Sequence, residues 1–203
     1  MLFYKAISYI FHPIIFSIIG TLLYFIILPS HITKQSEYSI LTIVFLSTYV
    51  VPILLLLFLK KFKMISNFHL NTIDERKFPI LFMFVLFIFL GIKLLETEVV
   101  NLLAYSFFGC ALALLLVYIG FFAKLKTSLH AISISGLIGF ICVLSFEYKL
   151  NLLVFLVFLF LLFGIISISR LKLEAHDNNE IYFGFLIGFI SQVAVYSYLS
   201  HNM

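Results

Sequence analysis

Long, uncharged and mostly apolar stretches recur along the whole chain, and short charged segments separate them. A helix needs about 20 apolar residues to cross the hydrocarbon core of a bilayer. Seven stretches approach or exceed that length, namely 6–33, 38–59, 78–92, 99–123, 127–146, 150–169 and 181–203. The pattern therefore predicts an all-α, polytopic membrane helical bundle of seven transmembrane helices, formed by one integral membrane domain over residues 1–203.

The third stretch, 78–92, is the shortest of the seven. It crosses the bilayer only if Lys93 extends its long side chain to the interface and lets the helix continue to Leu95. Six helices are the alternative if this segment fails to cross. The first stretch is too long for a cleaved leader, so we expect it to be a retained helix. Pro29 predicts its end, and Pro52 predicts a kink in the second helix.

The composition supports lipid as the main solvent of this chain. Hydrophobic residues make up 64% and charged residues 11% of the sequence, whereas soluble proteins average about 45–50% and about 25%. A soluble domain, a disordered chain and a nucleic-acid-binding protein are all disfavoured. Cys110 and Cys142 lie inside apolar runs without a metal-binding spacing, so we interpret both as small hydrophobic residues rather than as a disulfide or metal site.

Lysine and arginine are distributed unevenly between the two predicted membrane faces. Seven crossings place the N-terminus and the loops after the second, fourth and sixth helices on one face, which then carries ten of these residues. The opposite face carries only Lys34, Lys93 and Lys149. Cytoplasmic segments of membrane proteins are enriched in positive charge. The sequence therefore predicts a cytoplasmic N-terminus and cytoplasmic loops, with a bacterial inner membrane as the expected location.

The polar residues with chemical potential lie in the same three loops. The first loop carries His69, Arg76 and Lys77, the second Lys126, Ser128 and His130, and the third Arg170, His176 and Glu180. Cations and imidazoles at the mouth of a helical bundle suit a phosphate-type anion, which needs neutralising charge and oriented donors. Arg76, Lys77 and Arg170 also have a simpler interpretation as positively charged helix flanks.

The spacing of His176 and Glu180 is the most informative feature of the third loop. Residues four apart lie on one face of a helix, so a carboxylate at 180 can hold the Nδ1–H of the imidazole at 176. That contact fixes the tautomer and leaves Nε2 free to act as a nucleophile. Alternatively, Asp177 is the N-cap of the last helix and Glu180 completes a capping box. The two roles are compatible.

Ser169 and Arg170, followed by His176 and Glu180, form the pattern S-R-x5-H-x3-E. This resembles the third motif, S-R-x5-H-x3-D, of the type-2 phosphatidic acid phosphatase superfamily. The second motif of that family, P-S-G-H, resembles the segment 127–130, which keeps Ser128 and His130 but has Leu129 in place of glycine. The first motif, K-x6-R-P, has no match, and the nearest stretch is 75–79. The resemblance covers residues 120–195.

The resemblance implies a metal-independent phosphoryl transfer without a cofactor. His176 would attack the phosphorus and form a phosphohistidine, Glu180 would orient it, and His130 would protonate the leaving oxygen. Arg170, Ser128 and a cation from Lys126, Arg76 or Lys77 would bind the phosphoryl oxygens. The implied substrates are lipid phosphates or polyprenyl pyrophosphates, taken from among the membrane lipids.

Two other classes of function stay open at this stage. A non-catalytic membrane protein of the same fold would bind lipid headgroups or a protein partner without turnover. A small transporter ranks last, because ionisable residues in the middle of the predicted helices are absent from the sequence. The oligomeric state is not predicted by any of these patterns.

Overall fold

The structure, a computed structural model, describes residues 1–28, 32–66, 68, 70, 72–97 and 99–202. Their regular secondary structure is entirely helical and comprises nine α-helices and one π-helical turn. The helices are α1 (Leu2–Ile10), α2 (Ile15–Ile27), α3 (Lys34–Phe45), α4 (Val51–Lys61), α5 (Ile73–Leu95), α6 (Asn101–Phe122), α7 (Leu129–Glu147), α8 (Leu153–Lys172) and α9 (Asn178–Asn202). This confirms the predicted all-α class.

Six helical segments in the described part of the chain are long and apolar enough to cross a membrane. Five of them are α5, α6, α7, α8 and α9, and the sixth is the continuous stretch Lys34–Lys61. The predicted polytopic bundle is therefore confirmed. The short third stretch is long enough to cross the membrane, because the helix that contains it, α5, begins five residues earlier and runs for 23 residues to Leu95. Lys93, near that end, pairs with Glu96 at 2.9 Å.

The first predicted helix is where the structure differs from the prediction. Instead of one helix through 6–33, α1 and α2 are separated by a short break and bent by 56°, so the seventh span exists only if this pair counts as one. Pro13 lies in the break and has no N–H to donate to a preceding helical turn. Ile14 N–H donates to His12 Nδ1 at 3.4 Å, which starts the new helix. Pro29 lies outside the described residues.

The helix that contains Pro52 is continuous but irregular. A π-helical turn, Leu46–Val50, directly precedes the proline and joins α3 to α4. Proline cannot donate a hydrogen bond to the carbonyl one turn earlier, and interruptions of this kind often appear as π-bulges. The turn contains Thr48, which is buried and whose Oγ1 has no hydrogen-bond partner among the described residues.

Helix α7 is the centre of the bundle, and α9 packs closely against it. In the apolar window of α7, 72% of residues are buried, against 17% for α8. Glycines make the α7–α9 contact possible, because a Cβ at Gly188 would lie 2.2 Å from Ser135 Oγ and one at Gly184 would lie 2.9 Å from Ser128 O. This close approach, typical of membrane helices with small residues at their interface, fixes the start of α7 beside the start of α9.

Candidate functional site

Helix ends from different parts of the chain meet around one cavity of about 740 Å³. Arg76 comes from the first turn of α5, His130 from the start of α7, Arg170 from the end of α8, and His176 from the short connection before α9. All four side chains line the cavity, and Lys126 lines it as well. The structure therefore brings together five of the eight residues predicted for the site.

His176 and Glu180 form the contact that their spacing predicts. The distance from His176 Nδ1 to Glu180 Oε2 is 2.5 Å, and the imidazole is almost completely buried. A carboxylate can only accept from Nδ1, so the proton lies on Nδ1 and the lone pair lies on Nε2. Nε2 makes no hydrogen bond with any residue that the structure describes. An imidazole held in this way can act as a nucleophile.

The surroundings of His176 keep its imidazole neutral. Burial lowers the pKa of His176 far below its ordinary value, and the nearby positive charges of Arg170, Arg76 and Lys126 lower it further. Desolvation and like charges both disfavour the protonated form of an imidazole. The side chain is therefore unprotonated at neutral pH, as a nucleophile must be.

Glu180 has a second role at the beginning of α9. Its own N–H donates to Asp177 Oδ1 at 2.8 Å, and its carboxylate accepts from the N–H of Asp177. These two contacts are the capping box that was the alternative interpretation of Glu180. The structure shows both roles at once, so the cap also holds the carboxylate that orients His176.

His130 and Arg170 converge on a single residue of α1. His130 Nε2 lies 3.2 Å from the carbonyl oxygen of Ser8, and Arg170 Nη1 donates to Ser8 Oγ at 3.2 Å. A carbonyl oxygen only accepts, so His130 carries its proton on Nε2. The two donors thus bind two oxygen atoms of one residue, and both are groups that can donate to phosphate oxygens.

Three cations of the cavity form no salt bridge with a described residue, although Glu180 is near enough to Arg76 and Lys126 to interact with their charges. Arg76 Nε donates to the carbonyl of Leu70 at 2.7 Å, and Lys126 Nζ donates to the carbonyl of Ala175 at 3.2 Å. Within the described ranges, neither these two residues nor Arg170 forms a salt bridge, and the buried Nε of Arg170 has no partner. Glu174, which is exposed, is the only acidic residue among those described that line the cavity. Arg76 is buried, and Lys126 and Arg170 are half-buried. Because buried charges are normally paired, this excess of positive charge makes the cavity suited to an anion.

Two predicted phosphate ligands do not reach the cavity. Lys77 is exposed and forms a salt bridge with Asp74 at 2.7 Å, so its neighbour Arg76 alone faces inward. Ser128 is fully buried and is the N-cap of α7: its Oγ accepts from Ala131 N–H at 3.4 Å, and its own N–H donates to the carbonyl of Glu180 at 3.1 Å. Ser128 thus connects α7 to α9, and its N–H is not available to phosphate.

Sequence reasoning missed the residues that α1 adds to the site. Lys5, Ser8 and His12 line the cavity, and the ring of His12 lies 5.8 Å from that of His130. Two features of the sequence could have indicated them: Pro13, which interrupts the helix, and the mixture of polar and apolar residues in α1. The structure shows α1 as a nine-residue helix without a buried residue. Such a helix is typical of segments that lie along a membrane interface. His69, which was placed on the same face, lies outside the described residues.

No protein-family model matches the chain, and no curated protein or solved structure does either. What defines the site is its own geometry: an oriented neutral imidazole, a second imidazole whose proton lies on Nε2, and four cations, Lys5, Arg76, Lys126 and Arg170, around one cavity.

Proposed function

We propose that this protein is a membrane lipid phosphatase or polyprenyl pyrophosphate phosphatase that works through a phosphohistidine intermediate. The observation that carries the proposal is the cavity itself, where Arg76, Lys126 and Arg170 form no salt bridge with a described residue and line the same space as His176, whose Nε2 is free. An anion that brings a tetrahedral electrophilic centre satisfies both features. The site pattern supports a divergent relative of the type-2 phosphatidic acid phosphatases.

The proposed first step transfers the phosphoryl group to the protein. His176 Nε2 attacks the phosphorus while the bond from phosphorus to the lipid oxygen breaks. His130, which binds a second proton once the phosphate brings negative charge into the cavity, donates its Nε2 proton to that oxygen. The lipid therefore leaves as an alcohol or, from a pyrophosphate, as a monophosphate, and His130 becomes neutral. Glu180 accepts the Nδ1–H and stabilises the positive charge that develops on the His176 ring. Arg170, Arg76 and Lys126 bind the equatorial oxygens, on which negative charge accumulates.

The proposed second step restores the protein. His130, now neutral and without its Nε2 proton, takes a proton from water as the water oxygen attacks the phosphohistidine. The bond from phosphorus to His176 Nε2 breaks, and inorganic phosphate is released. Each electrostatic contribution in these steps comes from a side chain of the cavity, so the proposed reaction continues without a metal ion.

Ser8 supports a defined order of events before the reaction. In this structure its carbonyl and hydroxyl oxygens hold His130 and Arg170. A substrate phosphate would replace both contacts with its own oxygens, so α1 must shift before phosphate binds. The structure therefore corresponds to a resting state of the proposed enzyme. A non-catalytic protein that binds lipid headgroups is the alternative, and a measurement of turnover distinguishes it from the proposed enzyme.

The proposed location of the site is the cytoplasmic face of a bacterial inner membrane. The integral membrane character follows from the apolar helices. The orientation is supported by the excess of lysine and arginine on the face that carries α1 and the starts of α5, α7 and α9. Labelling of a single cysteine introduced at Asn178 should fail from outside intact cells and succeed after lysis. Labelling from outside would mean that the protein has the opposite orientation in the membrane.

The function is tested by phosphate release from purified protein in detergent. Lipid phosphates and a polyprenyl pyrophosphate should be hydrolysed in excess EDTA, because no step of the proposed reaction uses a metal ion. His176→Ala should lower turnover by at least about 10³-fold, as loss of a nucleophile does. His201→Ala, which changes an exposed histidine at the far end of α9, is the matched control and should keep full activity.

Two results would overturn the proposal. Activity that disappears in EDTA and returns with a divalent metal would show that the reaction depends on a metal ion, which contradicts the proposed mechanism. Phosphate release by His176→Ala at the rate of the unchanged protein would exclude His176 as the nucleophile. Binding of lipid phosphate without turnover in any condition would instead favour the headgroup-binding alternative.

A further inference from the structure

Beyond its charged mouth, the cavity continues into the bundle between apolar walls. We call this part the apolar chamber, and its walls include Phe16, Leu56, Met83, Phe87, Phe107 and Phe140. None of these residues is used by the proposed chemistry at His176. The chamber therefore needs an explanation of its own.

The chamber reaches past the middle of the membrane. On α5 the cavity is lined from Arg76 to Phe87, and on the α9 side from His176 to Gln192. Phe87 and Gln192 each lie about four turns, or about 20 Å, from the end of their helix that carries the polar residues. The hydrocarbon core of a bilayer is about 30 Å thick. Measured along α5 and along α9, the chamber therefore has the same depth, about 20 Å.

Gln192 forms a rigid floor at that depth. Its Nε2 donates to the carbonyl of Ser106 at 3.0 Å and lies 3.4 Å from Cys110 Sγ, which ties α9 to α6. A Cβ added at Gly109 would lie 2.7 Å from Gln192 Cδ, so the amide is packed directly onto the α6 backbone. A ligand that enters from the charged mouth therefore meets a fixed end rather than a continuous passage.

We infer that the apolar chamber binds the hydrocarbon chain of the lipid phosphate whose headgroup lies at His176, and that the chamber sets the length of that chain. The inference rests on the proposed function for the identity of the headgroup. The charged mouth and the apolar interior form one cavity, complementary to an amphiphile with an anionic head. Its volume of about 740 Å³ lies within the range of pockets that enclose most of a ligand, about 300–1,000 Å³.

Steric fit, rather than hydrophobic gain, is what makes the chamber selective. A chain that leaves the bilayer for the chamber exchanges one apolar environment for another, so burial alone favours no particular length. The walls and the floor at Gln192 exclude a chain that does not fit, because a packed helical core yields little to extra volume. A bulky side chain added halfway down should therefore exclude long chains and admit short ones.

Gly136 is the position at which such a side chain can be added. It lies on α7 about 10 Å below the start of the helix and lines the cavity. A Cβ there would come no closer than 3.9 Å to Gln192 Nε2 and Gly188 O, an ordinary van der Waals distance. At Gly188, by contrast, a Cβ would collide with α7. Gly136 can therefore carry a Cβ on the cavity wall without separating α7 from α9.

The test compares hydrolysis of octyl phosphate and hexadecyl phosphate by Gly136→Leu and by the unchanged protein. Gly136→Leu should lower kcat/KM for hexadecyl phosphate by about tenfold or more and change that for octyl phosphate by less than about twofold. The matched control is Gly164→Leu on α8, where nothing lies within 4 Å of an added Cβ, and it should treat both substrates as the unchanged protein does. Gly20→Leu, also in the chamber wall on α2, is a second blocking variant should Gly136→Leu fold poorly.

An equal loss for both substrates in both folded blocking variants, or no loss for either, would overturn the chamber assignment while leaving hydrolysis intact. If the unchanged protein hydrolyses neither of these substrates nor a polyprenyl pyrophosphate, the proposed function fails, and the chamber is tested by ligand protection against thermal unfolding. Hexadecyl phosphate should then protect the unchanged protein more than octyl phosphate does, and Gly136→Leu should abolish that difference. Equal protection of the variant by both chain lengths would refute the chamber assignment.

Discussion

The α7–α9 pair and α1 both contribute to the cavity, yet they are built in opposite ways. The helices of the pair approach until Gly188 and Gly184 contact the backbone of the partner, and their ends carry His130, His176 and Glu180. Helix α1 has no buried residue and reaches the site through the polar contacts of Ser8. Rigid packing thus holds the groups that we propose to react, while a weakly packed helix covers them. The comparison indicates that different helices determine the geometry of the site and the access to it: the α7–α9 pair sets the positions of its side chains, and α1 covers its opening.

The largest effect is expected where the rigid pair orients the nucleophile. Glu180→Gln should lower kcat by about 10²-fold, because the amide keeps the shape of the carboxylate but does not stabilise a positive charge on the His176 ring. Phosphate release under saturating lipid phosphate measures this. Glu96→Gln, which breaks the exposed pair with Lys93, is the control and should leave kcat unchanged. A loss of less than about threefold in Glu180→Gln would mean that the carboxylate serves only as a helix cap.

The next effect concerns the packing of the pair. Gly188→Ala should lower the free energy of unfolding by about 1–3 kcal/mol, since its methyl group overlaps Ser135 and the α7 backbone. Gly164→Ala on α8 has free space around the added methyl group and should be neutral or stabilising by roughly 0.5–1 kcal/mol. Denaturant titration of both proteins in detergent compares them. Equal stability of the two variants would show that the close approach of α7 and α9 is not required.

A smaller effect, of opposite sign, is expected in α1. Ser8→Ala removes the hydroxyl that holds Arg170 Nη1, so the guanidinium is released for phosphate and KM should fall by about twofold to tenfold, the value of one net hydrogen bond. The value of kcat should stay the same. Ser39→Ala on the exposed face of α3 is the matched control. A higher KM in Ser8→Ala would mean that Ser8 positions the substrate instead of competing with it.

The smallest effect concerns pH: the protonation state of the His176 ring is expected to stay unchanged. Burial and the surrounding cations lower the pKa of His176, so its ring should remain unprotonated in the folded protein from pH 8 down to about pH 5, although an ordinary histidine titrates near 6.5. Because the unfolded chain binds this proton and the folded chain does not, the contribution of His176 to stability decreases as the pH falls below about 6.5. The ring-proton chemical shift, assigned with His176→Gln, should stay constant over that range. A titration centred near 6.5 would contradict the burial of the ring in a cationic site.

The sequence predicted the transmembrane helices and the local pairs well, because both depend on short-range patterns. Uncharged stretches define helices through the cost of placing charge in lipid, and the four-residue spacing of His176 and Glu180 defines their contact on one helical turn. Topology also gathered Arg76, Lys126, His130 and Arg170 on the same face, and the cavity confirms that they lie together.

The features that the sequence did not predict depend on three-dimensional packing. Arg76 and Lys77 are adjacent in sequence, and only the placement of α5 decides that one faces the cavity and the other the solvent. Ser128 matches a phosphate-binding motif, yet its N–H is taken by the carbonyl of Glu180 on a neighbouring helix. The role of Ser8 required the bend at Pro13, which a count of uncharged residues does not register.

Trapping the covalent intermediate tests the central claim most directly. The purified protein is mixed with a lipid phosphate carrying labelled phosphorus, quenched in alkali and digested. The account predicts one acid-labile label on the peptide that contains His176, present in Glu180→Gln and absent from His176→Ala. Label on another residue, or turnover of the lipid phosphate without any label on the protein, would contradict it.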